Sequence, residues 1–294
     1  MMKETTRARL MLISSMLIFG TIGLFRRSIP LPSSLIAQVR GLIGTLFLLI
    51  VMLVGRRRFD HTALRRNLPI LVLSGTLIGV NWILLFESYN HTSVAVAALC
   101  YYMAPIFVML ASPLVLHEKL TGRKLACTGA ALVGMVLVSG VMTGGVSGLT
   151  GILLGLAAAV CYACVMLLNK KLSGVPTFDR TVIQLACTAV LLLPYVLATE
   201  NVSSLEFTVP SVLLLAVVGV IHTGLAYYLY FGGMEHMSAQ TIALCSYIDP
   251  VSSILLAWMI LGESMDVWGW IGSVLILGAA VVCDLPVRKQ SVDG

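Results

Sequence analysis

Ten apolar runs joined by short polar turns decide what this chain can fold into. They cover residues 10–25, 33–54, 68–87, 93–116, 125–142, 149–168, 181–199, 210–231, 238–261 and 267–285. A helix needs about 20 apolar residues to cross the ~30 Å hydrocarbon core of a bilayer. Within lipid, only elements that satisfy their own backbone hydrogen bonds persist. The runs therefore predict an all-α integral membrane protein with ten transmembrane helices. Composition agrees, at 59% hydrophobic and 11% charged residues, whereas a soluble domain carries about 25% charged residues.

The net charge of +6 does not mark a nucleic-acid binder, because the basic residues sit in the connections, where they report topology. With the N-terminus inside, sixteen of the 19 Lys and Arg fall on inner segments, among them Arg56, Arg57, Arg58, Arg65, Arg66, Lys170 and Lys171. Only Arg26 and Arg27 fall outside, and Arg40 lies within a span. This bias predicts a plasma membrane protein, a bacterial inner-membrane protein by type, with both termini cytoplasmic. The first run continues into a polytopic pattern, so no cleaved signal peptide is expected. The seven cysteines lie in or at the ends of apolar runs and form no disulfide framework. Cys161 and Cys164 read as packing residues of a membrane helix.

The chain repeats itself. Residues 88–118 align without a gap on 233–263, with ten identities, including Cys100/Cys245, Tyr102/Tyr247, Pro105/Pro250 and Glu118/Glu263. Division at residues 1–146 and 147–294 gives five spans each. An odd number inverts the second repeat relative to the first, a hallmark of secondary transporters with broken helices near the midplane.

This five-plus-five layout resembles the drug/metabolite transporter superfamily, specifically its EamA family. Arg40, the run from Ser93 through Pro105 to Glu118, and its echo from Ser238 through Pro250 to Glu263 carry the resemblance. The resemblance implies a basket-like bundle around a central cavity lined by spans 1–4 and 6–9, with spans 5 and 10 supporting it. It also implies export or exchange of amino acids and other small metabolites. Asp249 departs from the family pattern, so no family role is copied onto it.

Asp249 stands before Pro250 in the middle of the ninth run, where a carboxylate must be solvated or paired. Helical spacing puts Cys245, Ser246, Ser252 and Ser253 on its face. Asp249 reads as a counter-ion for a cationic or zwitterionic cargo, or as a proton carrier. The alternative is a permanent structural pair. Pro105 and Pro250 donate no amide hydrogen and free the carbonyls of Tyr101 and Ser246, which makes them hinge candidates. Arg40 and Glu87 overlap in depth. They read as an outer ion pair, or as a carboxylate grip beside an acidic mouth. Ser74, Asn81 and Ser88 share one face of the third span. Trp82, Tyr101, Tyr227 and Tyr228 offer aromatic surface to a cation, or simple packing. His222 either exchanges a proton near neutral pH or is hydrogen-bonded between helices. Glu118 and Glu263 read as caps or loop pairs.

No metal-ligand spacing, serine-nucleophile frame or second mid-depth aspartate suggests an enzyme. No cofactor or metal is expected. The sequence points to a secondary transporter of small polar metabolites, an amino-acid or amine exporter, with protons as a candidate coupling ion. An exporter of organic cations is the alternative, and a channel is the weaker one. A single chain suffices to build the cavity, and a dimer is compatible.

Overall fold

The computed structural model describes residues 4–115, 122–138, 148–172, 174–234, 245 and 248–284. Among them the chain is helical, with no strand. The helices are α1 (Glu4–Gly20), α2 (Ile22–Arg27), α3 (Ser33–Val54), α4 (His61–Arg66), α5 (Leu68–His91), α6 (Val94–Tyr101), α7 (Ala104–Val115), α8 (Gly122–Val138), α9 (Leu149–Lys171) and α10 (Thr177–Thr199). Next come α11 (Val209–Val217), a π-helical segment (Val218–Leu225) and α12 (Ala226–Met234), which run on as one rod, then α13 (Ile248–Leu261) and α14 (Val267–Asp284).

Six helical stretches among the described residues are long and apolar enough to cross a membrane: Thr6–Arg27, Ser33–Val54, Leu68–His91, Leu149–Lys171, Thr177–Thr199 and Val209–Gly233. Four shorter apolar helices lie where the other four predicted runs fall: Val94–Val108, Leu125–Val138, Ile248–Leu261 and Val267–Ala279.

Local chemistry sets the boundaries. Ser93 accepts from the Val96 amide and caps α6, and Thr208 does the same for α11 from Ser211. Pro32 and Pro176 immediately precede α3 and α10, which they cannot extend backwards. The fourth run breaks at Tyr102–Met103, where the Met103 amide turns to the Cys100 carbonyl in a tight three-residue closure. The break comes just before Pro105, which cannot reach back to the Tyr101 carbonyl.

The bundle is built from antiparallel pairs. α5 packs on α9, α3 on α10, α1 on α12, and α8 on α14, while α10 also runs parallel against α5. Small residues permit the approach. A Cβ on Gly75 would stand 2.7 Å from the Gln184 carbonyl and 2.6 Å from the Cys187 Cβ. The outer surface is apolar, with Leu53, Val190 and Val274 each about two-thirds exposed or more, as a lipid-facing surface requires.

The bundle has a basic end and an acidic end. Arg57 and Arg58 follow α3 at the basic end, where the Asp60 amide donates to Asp179 near the start of α10 at 3.0 Å. At the other end Ser34, at the start of α3, donates to Glu200, just after α10.

Candidate functional site

Arg40 lies in the first half of α3 and is buried, at 5% exposure. Its guanidinium sits over the Trp82 ring at 4.0 Å and near the Phe86 ring at 5.2 Å. Its Nε donates to the Thr223 hydroxyl at 3.0 Å. Among the described residues no carboxylate stands within ion-pair distance of it. A desolvated cation held by two π faces and one hydroxyl is fixed in place without being neutralised.

Thr223 is available because the eighth run is not a plain α-helix there. Residues 218–225 form a π-helix, and the Thr223 hydroxyl also donates to the Val218 carbonyl five residues back. Such bulges shift the phase of a helix face and recur at functional sites. The neighbouring His222 bonds through Nε2 to Thr21 at 2.8 Å and stands edge-on to Phe25 at 4.6 Å. That fits the interhelical hydrogen bond, the blander of its two expected roles.

Asp249 lies in the first turn of α13, half-buried, and the Tyr102 hydroxyl donates to its carboxylate. Tyr89, Tyr101 and Tyr162 also lie within its electrostatic reach. Tyr89 and Tyr101 are at the same time neighbours of Arg40. Both charges thus act on Tyr89 and Tyr101, without standing within ion-pair distance of each other. Tyr101 stacks obliquely on Tyr162 at 5.4 Å and reaches Asn81 Oδ1 at 3.5 Å. Tyr227, another neighbour of Arg40, stacks on Phe231 at 5.8 Å and meets Phe19 edge-on at 5.4 Å. Trp82 and Tyr227 are equivalents at the 145-residue offset, so each repeat places its copy of this position near the same guanidinium.

Other expected residues are placed differently. Arg40 and Glu87 do not pair. The Glu87 carboxylate is taken by Ser33 at 2.8 Å, Asn90 at 3.1 Å and His91 at 3.2 Å. Their depths overlap along the sequence, but Glu87 sits at the acidic end while Arg40 turns towards Trp82 and the π-helix. The shared face of Ser74, Asn81 and Ser88 is present, yet it is spent on packing. Asn81 donates to the Ala158 carbonyl, Ser88 to the Gly151 carbonyl, and Ser74 accepts from Gln184. Ser246 and Tyr247 lie outside the described residues, as does Glu118. Pro250 is buried in α13, and Ser252 turns its hydroxyl back to the Asp249 carbonyl.

Glu263 reaches further than a loop pair. Its two oxygens accept from the Val94 and Ala95 amides at 3.0 and 3.2 Å, and Arg27 pairs with it at 3.2 Å. A carboxylate at a helix N-terminus complements the exposed amides and the dipole of α6. This one comes from the other half of the chain.

No group of acidic, histidine or cysteine side chains able to hold a metal occurs among the described residues. Tyr89, Tyr102, Tyr162 and Thr223 escaped the sequence reading. Tyrosines in apolar runs look like packing, and a π-helix has no sequence marker. The signal that could have found Tyr102 was its place in the repeat, three residues before Pro105.

The EamA-like transporter family model matches the chain twice, over residues 6–140 and 149–283. The chain belongs to the EamA-like transporter family. It is 29% identical over 293 residues to the uncharacterized transporter YxxF of Bacillus subtilis, covering 98% of this chain and 92% of that one. An uncharacterized transporter of Archaeoglobus fulgidus is 26% identical over 92% of this chain and 94% of its own. The protein PecM of Dickeya dadantii is 26% identical over 74% and 76%. A crystal structure of a protein 22% identical in sequence shares the fold over 95% of this chain and 96% of its own, with a TM-score of 0.66. This EamA-like transporter is thus a multi-pass membrane protein of a transporter family, not an enzyme.

Proposed function

We propose that the chain is an alternating-access secondary transporter that exports small zwitterionic metabolites, amino acids or related amines, across the plasma membrane. Arg40 would receive the carboxylate and Asp249 the ammonium group, with the prolines as hinges between two inverted five-helix halves of a ten-span bundle. The observation that carries this reading is the pairing of an Arg40 that lacks a carboxylate partner with an Asp249 that acts on the same tyrosines, Tyr89 and Tyr101. Two opposite charges held apart, neither cancelling the other, suit a cargo that carries both. Asp249 can also hold a proton, so coupling to a proton gradient fits the same residue.

The test is uptake of a pooled amino-acid mixture into proteoliposomes. Asp249→Asn is expected to lower transport at least ~10-fold, the scale of one lost charge-assisted hydrogen bond. Unchanged rate and unchanged pH dependence would remove Asp249 from the mechanism.

A second reading, export of organic cations, is favoured by the tyrosine faces around Asp249. Arg40→Gln separates the two: it abolishes amino-acid transport but spares or improves transport of a monovalent cation such as tetraphenylphosphonium.

A further inference from the structure

At the basic end a cavity of about 550 Å³ opens between the α3–α4 turn, the start of α10 and the end of α12. That is within the ordinary range for a small-molecule pocket. Arg57, Arg58, Thr177, Phe178 and Phe231 are among its lining residues. Arg57 sits over the Phe178 ring at 5.4 Å. Neither arginine has an ion-pair partner among the described residues. Asp60 and Asp179 also line it: Asp60 is exposed and caps α4 through Ala63, and Asp179 is buried and accepts the Asp60 amide. Two exposed guanidinium groups thus face one exposed carboxylate between two aromatic walls.

Aromatic side chains link the cavity wall to the surroundings of Arg40. Phe231 in its wall stacks on Tyr227, and Tyr227 neighbours Arg40. The repeat shows what stands at the other end. Phe231 is the equivalent of Phe86 at the 145-residue offset, and Pro176–Thr177 match Pro32–Ser33 at 144. The corresponding place, at the start of α3, is tied shut by Ser33 to Glu87 and Ser34 to Glu200. One end is open and basic; its counterpart is closed and acidic.

We infer that this cavity is a loading site for small organic carboxylates, where Arg57 and Arg58 take the anionic group and Phe178 and Phe231 the apolar body before the cargo passes Tyr227 to Arg40. The inference rests on the proposed transport reading for its purpose, but the binding it asserts is separable from transport. Cytoplasmic cargo meets guanidinium first and acidic side chains last.

Calorimetry on the full chain in phosphatidylcholine nanodiscs tests it, with phenylacetate as probe and phenylacetamide as its neutral isostere. Phenylacetate is expected to bind at least ~10-fold more tightly than the amide. The double variant Arg57→Gln/Arg58→Gln loses that preference, and Arg57→Lys/Arg58→Lys keeps most of it, which separates lost charge from lost fold. Asp249→Asn leaves it unchanged. Equal binding of acid and amide, or binding untouched by the double glutamine variant, overturns the site. Loss of binding in Asp249→Asn or Arg40→Gln instead would place the probe in the central region and overturn it as well. Displacement of phenylacetate when phosphatidylglycerol replaces part of the phosphatidylcholine would make the cavity a lipid-headgroup site and overturn the cargo reading. Transport failing in Asp249→Asn while phenylacetate binding persists would leave both proposals standing. Normal transport in Asp249→Asn with binding intact would sink only the central-site reading.

Discussion

Arg40 rests on two aromatic rings and one hydroxyl, and that hydroxyl is the weakest of its supports to replace. Thr223→Val keeps the shape and removes the acceptor. A buried guanidinium N–H left without a partner costs about 1–3 kcal/mol. The expected outcome is a melting temperature lower by a few degrees in a thermal-shift assay. On the proposed reading, the apparent affinity for a carboxylate-bearing cargo also falls ~10-fold, because the guanidinium is no longer aimed. Unaltered values in both assays would show that the stacking alone fixes Arg40. The charge of Arg40 was plain in the sequence, as an arginine inside an apolar run. Its partners were not. Trp82 and Phe86 come from one span and Thr223 from another, distant in sequence, and nothing in a linear pattern says which side chains will meet. Glu87 was the natural guess because its depth matched, yet depth along a helix leaves the angle around it free.

Helices were the legible scale. The runs at 33–54 and 149–168 nearly coincide with α3 and α9, because hydrocarbon thickness and apolar length are one constraint. The break in the fourth run was announced by Pro105, although the distortion falls at Tyr102–Met103. The π-helix at 218–225 was invisible, since it inserts a residue's worth of phase without changing composition. Deleting Val220 should restore an α-helical phase there. The expected result is a protein that still inserts into the membrane but loses transport, because Thr223 rotates away from Arg40. Full transport by the deletion variant would make the bulge incidental. Packing between helices gives a second test. Gly75→Ala puts a methyl group 2.7 Å from the Gln184 carbonyl, so α5 and α10 must separate. Overpacking of this kind costs typically 1–3 kcal/mol, and a melting curve should shift down accordingly. An unshifted curve would mean that the α5–α10 contact yields easily.

Across the whole molecule, the ties at the acidic end link the two halves of the sequence. Glu263 holds the start of α6 and Arg27, and Ser34 donates to Glu200. Alternating access requires those ties to break in the opposite state. Glu263→Gln keeps one acceptor oxygen but weakens two amide bonds and the ion pair. A loss of about 1.4 kcal/mol shifts a two-state population ~10-fold. Maleimide labelling of a cysteine placed at Ser34 should therefore speed up several-fold in Glu263→Gln. Labelling no faster than in the parent would mean that this tie does not hold the end closed. The repeat was readable at this scale from ten identities, and Glu263 was visible as one of them. That it caps a helix of the other half was not, because a repeat aligns equivalents and is silent on contacts between them.

The uncancelled guanidinium of Arg40 also gives the bundle an electrical character. Whenever Asp249 carries a proton, the empty core holds a net charge of about +1 in a medium that screens poorly. On the proposed reading, loading a zwitterion whose ammonium group displaces the Asp249 proton removes it. A charge displaced through the full membrane field exchanges about 2.3 kcal/mol per 100 mV, and one moved through part of the field exchanges a fraction of that. On the proposed alternating-access reading, the return stroke of the unloaded carrier is then the step that feels the resting potential, while the loaded stroke is nearly silent to it.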